Sequence, residues 1–109
     1  MRFFGLKSCD TCGKALAALH AQGITPQVID VRADGLDADD IQAIVAAFGD
    51  TAINRASTTW RGLSEDARAQ DTAALLAAYP TLMKRPVIAT DGGWTIGWKP
   101  DVQAKYLRA

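Results

Sequence analysis

The stretch Ser8-Cys9-Asp10-Thr11-Cys12-Gly13 holds both cysteines of the chain. Two thiols at this spacing suit three roles: a nucleophile with its resolving partner, half of a zinc site, or two small apolar residues. A structural zinc centre takes four ligands, and two cysteines with the single His20 fall short, so no metal is assigned unless a dimer shares four cysteines. Packing is the plain reading for Cys12, which opens the series Cys12, Leu16, Leu19 at i, i+4, i+7. Cys9 stands apart in a polar turn with Ser8, Asp10 and Thr11, ahead of a helix whose first amides lower a thiol pKa. Cys9 is therefore the expected nucleophile, and Cys12, one turn on, the expected resolving partner. His20 lies two turns beyond Cys12, about 12 Å along the axis, and reads as a helix residue, since thiol exchange needs no histidine.

The elements that position these thiols follow from pattern. Arg2 to Leu6, "RFFGL", reads as a buried strand. "TCGKALAALHAQG" is rich in helix formers and stops at Gly23, a C-terminal cap. "TPQVIDVR" then offers Val28, Ile29 and Val31 for a second strand. Strand, helix, strand is the opening of a parallel pair, and both cysteines fall where the first strand meets its crossover helix. Unpaired amides and the positive end of the macrodipole favour an anion there, a thiolate included. From Ala33 to about Tyr79 the pattern is helical, with "DADDIQAIVAAFG" and "TAALLAAY" separated by "AINRASTTWRGLSED", which reads as polar and turn-like. "RPVIAT", a turn at "DGG" and "WTIGW" read as a hairpin, followed by a helix from about Asp101.

A chain of 109 residues with 49% apolar and 22% charged content suits one domain with one core. Twelve basic residues balance twelve acidic ones, so the phosphate attraction behind direct nucleic-acid binding is absent and no such partner is expected. No leader pattern opens the sequence and no apolar run is long enough to span a bilayer, so a cytoplasmic location without membrane contact is expected; a monomer is expected as well. Thiols are kept reduced there, which favours a working C-x-x-C over a structural staple.

Arg55, Arg61 and Arg85 flank loops, where a guanidinium can stabilise a thiolate or grip a carboxylate. Pro86 restricts Arg85 to extended backbone and leaves the isomer of their bond open. "GLKSCDTCGKALAAL", "DVRADGL", "INRASTTWRGL" and "LMKRPVIATDGGWTIGWKP" together resemble the arsenate reductase-like (ArsC) family, in its YffB-type branch of small thiol reductases. The resemblance spans nearly the whole chain. It implies an α/β, thioredoxin-like fold, residues 1–109 forming a single domain whose four-stranded mixed sheet carries a helical insertion, roughly 34–80, between strands two and three. It also implies Cys9 as nucleophile, Arg55 and Arg85 as motif arginines, and a cis bond at Pro86. The family's third arginine is matched by Lys99 before Pro100, a point charge on a flexible stem in place of a planar fork, which weighs against arsenate as substrate. Cys12 is similar to the second cysteine of the Spx regulators, another branch, which use C-x-x-C as a disulfide switch and contact RNA polymerase.

The expected activity is thiol–disulfide reduction. Cys9 attacks a disulfide or glutathione mixed disulfide, and Cys12 or a second glutathione resolves the adduct. Arg55 and Arg85 hold thiolate and substrate carboxylate, Lys99 assists, and Thr11, Arg61 and Pro86 shape the substrate groove. Glutathione is the expected co-substrate, with no bound cofactor. The alternatives are a redox switch acting on RNA polymerase and an arsenate reductase.

Overall fold

The computed structural model describes residues 1–107. In chain order its elements are β1 (Arg2–Gly5), α1 (Asp10–Ala21), β2 (Gln27–Asp30), α2 (Ala38–Phe48), α3 (Thr58–Arg61), α4 (Glu65–Arg68), α5 (Thr72–Ala78), β3 (Val87–Thr90), β4 (Gly93–Ile96) and α6 (Pro100–Tyr106). Short 3-10 turns occupy Gly49–Ala52 and Pro80–Leu82. The chain divides into two compact units, one made of Met1–Asp30 with the segment from Arg85 onward, the other of Val31–Lys84. Among the described residues no helix is long and apolar enough to cross a membrane.

The first unit is built on a four-stranded sheet in the order β2-β1-β3-β4. β1 runs parallel to β2 and antiparallel to β3, which in turn pairs antiparallel with β4. Successive side chains of a strand point to opposite faces, and in central β1 both faces are covered, so Phe3 and Phe4 are each fully buried. Phe3 joins Cys12, Ala15 and Leu19 of α1 and Ile88 of β3 in one core cluster. Phe4 stacks on Trp94, with ring centroids 5.8 Å apart. The guanidinium of Arg2 lies 5.2 Å from the Phe4 centroid and 5.7 Å from that of Trp94. Burying such side chains contributes about 1.5–3 kcal/mol each.

α1 ends where Gly23 takes φ +76°, a left-handed conformation that side chains resist, and donates its N–H to the His20 carbonyl at 2.9 Å. Thr90 pairs with Gly93, so Asp91 and Gly92 form a two-residue hairpin loop between β3 and β4. α6 starts with Pro100 in its first turn, where the missing N–H costs no helical bond. It is held to the sheet by the hydroxyl pair of Thr95 and Tyr106, 2.7 Å apart.

In the second unit, α2 buries Ile41 and Ile44 and α5 buries Thr72, Leu75 and Leu76. The Thr72 hydroxyl donates to Asp50 at 2.5 Å. An isolated bridge between Ile53 and Met83 closes the base of the unit, flanked by Asn54 N–H to the Leu82 carbonyl and Lys84 N–H to the Ala52 carbonyl.

Two details differ from the sequence pattern. Val28 is 46% exposed because β2 is the edge of the sheet, and Val31, fully buried, lies beyond the end of β2. The segment expected as a polar turn contains the single-turn helices α3 and α4, each started by a serine hydroxyl: Ser57 accepts from the Trp60 N–H and Ser64 from the Ala67 N–H, both at 3.1 Å. One turn is too short to show apolar periodicity.

Burial sets the cost of truncation. Leu19→Ala, at a position with no exposure, is expected to lower unfolding free energy by about 2–5 kcal/mol in urea titrations. Val28→Ala, at the exposed edge, is expected to lower it by less than about 1 kcal/mol.

Candidate active site

β1 ends at Gly5, and a tight turn carries the chain into α1, closed by the Cys9 N–H donating to the Leu6 carbonyl at 3.1 Å. The Lys7 N–H donates to the Asp30 carboxylate at 3.2 Å, fastening this turn to the end of β2. Cys9 is the N-cap of α1, in extended conformation, and its carbonyl accepts the Gly13 N–H at 3.0 Å. Its side chain is half-buried, whereas Cys12 on the first turn is only 2% exposed.

The second half of the site comes from strand pairing. Phe4 of β1 lies opposite Val87 of antiparallel β3. The chain leaving β1 and the chain entering β3 therefore meet at the same end of the sheet, which brings Arg85 to Cys9. The Arg85–Pro86 bond is cis. Pro86 is fully buried, and its carbonyl accepts the Gly97 N–H at 2.8 Å, pinning this loop to the end of β4.

The two thiols are pushed in opposite directions. Partial burial raises Cys9, but hydrogen bonds from the Cys12 N–H, the Cys12 thiol and the Arg85 guanidinium, with the charge of Arg85, outweigh it and leave Cys9 below its ordinary 9.0. Burial pushes Cys12 up to about 11; a backbone hydrogen bond from Leu6 opposes this, and the neighbouring Cys9 sulfur adds to it. The arrangement makes the anion easier to form on Cys9 than on an ordinary thiol and keeps the proton on Cys12, whose S–H hydrogen-bonds to the Cys9 sulfur. Among the described residues no group of three or more His, Cys, Asp or Glu is placed to hold a metal ion.

The structure thus brings Cys9, Cys12, Arg85 and Pro86 together. Thr11 is exposed on the first turn of α1, and Lys99 is exposed at the N-cap of α6. Arg55 and Arg61 belong to the second unit. There the Arg55 guanidinium lies 5.4 Å from the Trp60 ring centroid, as does that of Arg68, and Arg61 donates to the Ala56 carbonyl at 2.7 Å. His20 is exposed in the last turn of α1.

Two residues of the packing around this cluster escaped the sequence reading. Trp98 packs with Cys9 against the Phe3 cluster and stacks on Tyr106 at 6.4 Å; no local pattern marks it. Gly5 is buried with its Cα facing Cys12, and a glycine inside a strand pattern was the available signal for a close approach.

Replacing Arg85 with glutamine is expected to raise the Cys9 pKa, so that iodoacetamide modification of Cys9 slows several-fold at slightly acid pH while converging with the wild type at high pH. The stability sign for Cys12 is fixed as well. Between about pH 9 and about pH 11 the unfolded thiol has lost its proton and the folded one has kept it. The unfolded chain binds fewer protons, so Cys12 makes stability fall as pH rises through that window. Urea midpoints should show this fall, and Cys12→Ala should lose that share of it.

Residues 4–106 match the model of the ArsC family. An uncharacterized protein of Haemophilus influenzae is 43% identical over 109 residues, spanning 94% of this chain and 96% of its own. The solved structure of the YFFB protein is 35% identical, covers 98% of both chains and superposes with a TM-score of 0.89. An arsenate reductase (ArsC) related protein from Brucella melitensis is also 35% identical, covering 96% of this chain and 92% of its own with a TM-score of 0.73. The mixed sheet with its cysteine-bearing helix is the thioredoxin-like fold of these relatives. With nearly its full length inside the family model, the chain belongs to the ArsC family.

Proposed function

We propose that the protein is a thiol–disulfide oxidoreductase working as a reductase, with Cys9 as its nucleophile and glutathione as its co-substrate. The observation that carries this reading is the asymmetry of the two thiols: Cys9 is half-exposed, lowered in pKa and beside Arg85, while Cys12 is buried and raised to about 11. Membership of the ArsC family supports an oxidoreductase-type enzyme.

The Cys9 thiolate attacks the glutathione sulfur of a mixed disulfide. The new Cys9–glutathione S–S bond forms as the substrate S–S bond breaks, and the substrate leaves as a thiolate that takes a proton from water. A second glutathione thiolate then attacks the glutathione sulfur of the adduct, releasing oxidised glutathione and restoring the Cys9 thiolate. The net change is one substrate thiol and one oxidised glutathione from one mixed disulfide and one glutathione. Arg85 stabilises Cys9 as attacking and as leaving thiolate, and the Cys12 thiol does the same by hydrogen bonding. Burial, the first cause of the raised Cys12 pKa, persists in the adduct and disfavours the Cys12 thiolate, so resolution by an external thiol is favoured over attack by Cys12. Lys99 supplies a cation within the same unit for a substrate carboxylate.

The hydrogen bond between the thiols favours a second reading, in which exchange with oxidised glutathione joins Cys9 to Cys12, releases two glutathione thiols and changes binding to a protein partner such as RNA polymerase. Arsenate is a poorer candidate, since Lys99 stands where the ArsC motif has an arginine able to grip an oxyanion bidentately.

Incubation with oxidised glutathione followed by mass spectrometry should give one glutathione adduct on Cys9, and Cys9→Ser should give none. Cys12→Ala should keep turnover on glutathione mixed disulfides at neutral pH within about tenfold of wild type. An internal disulfide as the sole product, with no turnover, would favour the switch and remove the reductase.

A further inference from the structure

β1 reads Arg2-Phe3-Phe4-Gly5, a strand that gives up its side chain at the last residue before the reactive turn. Backbone conformation does not demand this glycine, because Gly5 is absent from the positive-φ glycines, which are Gly23, Gly35, Gly49, Gly93 and Gly97. Space does demand it. A Cβ on Gly5 would stand 2.7 Å from Cys12 Sγ, 3.4 Å from Cys12 Cβ and 3.0 Å from Cε1 of Phe3. The first distance is about 1 Å inside ordinary contact, which lies near 3.5–4.0 Å between carbon atoms. The helix carrying Cys12 cannot retreat cheaply, because Ala15 and Leu19 bury the same face against Phe3 and Ile88. Sγ is the atom that would have to leave. A neighbouring apolar cavity of about 40 Å³, lined among others by Gly5, Cys12, Leu16 and Val28, gives it a place to go.

We propose that Gly5 is a positioning residue of the dithiol: the absent side chain forms the notch in which Cys12 Sγ rests against β1 within hydrogen-bonding reach of Cys9. The inference rests on the reading of Cys9 as the reacting thiolate. The atoms nearest a Cβ on Gly5 belong to Cys12 and Phe3, so Gly5 acts on Cys9 through Cys12. With the notch filled, Cys12 Sγ swings away, Cys9 loses one of the donors to its anion, and its reactivity moves to higher pH. The same notch then sets which thiol resolves the adduct, since it holds Cys12 as a buried donor and leaves resolution to an external thiol.

The test is a double-mutant cycle read on the pH profile of Cys9 alkylation by iodoacetamide, using the wild type, Gly5→Ala, Cys12→Ala and the double variant. Gly5→Ala and Cys12→Ala are each expected to move the profile to higher pH, with several-fold slower modification of Cys9 at slightly acid pH. In the Cys12→Ala background, Gly5→Ala is expected to add nothing, because no Sγ remains to displace. A Gly5→Ala profile that stays in place or moves to lower pH overturns the proposal, as does an equal shift with and without Sγ. A merely structural glycine would lower the urea midpoint and leave the profile alone. Should Gly5→Ala fail to fold, the double variant is expected to fold, and collapse of both overturns the role of Sγ. Lack of turnover on glutathione mixed disulfides would remove the proposed reaction while leaving the alkylation cycle intact, and additive shifts would remove the role of Gly5 while leaving the reaction intact.

Discussion

One hydrogen bond organises the reactive end of this protein: the thiol of Cys12, buried, facing the sulfur of Cys9, half-exposed. Two identical side chains one helical turn apart would share a proton evenly in water. Here desolvation falls more heavily on Cys12, while the helix start and Arg85 act on Cys9, so one sulfur is held as the donor and the other is eased toward its anion. The difference between them is made by position rather than by residue type.

That position is a product of strand pairing. β1 delivers the chain to the N-terminus of α1, and antiparallel β3 begins beside the place where β1 ends. A cysteine that follows β1 and an arginine that precedes β3 are thereby neighbours, although 76 positions separate their numbers (85 − 9). The Phe3 cluster fixes the face that α1 presents to the sheet, and the bond from Gly97 to the Pro86 carbonyl fixes the entry to β3. Packing, sheet order and electrostatics converge on one sulfur.

Much of this arrangement is legible in the sequence itself. The change from strand to helical period at Ser8–Cys12 placed the thiols at a helix start, and the Leu16 and Leu19 series told which face Cys12 would turn inward. What escaped the sequence depended on contacts between distant segments. The exposure of Val28 follows from β2 being the sheet edge, which no property of "QVID" announces. α3 and α4 are held by single serine caps and carry no periodicity to detect. Gly5 looks like a weak point in a strand until the sulfur beside it is located.

The inserted second unit is joined covalently to the first at two peptide bonds, Asp30 to Val31 and Lys84 to Arg85. Asp30 is the residue whose carboxylate holds the Lys7 amide in the turn before Cys9, and Arg85 is the guanidinium that faces the Cys9 sulfur. Both covalent tethers of a 54-residue module (84 − 31 + 1) thus end on residues hydrogen-bonded to Cys9 or to the turn before it. Both of these contacts lie wholly within the first unit, so the insertion can gain or lose residues between its two tethers without altering either of them.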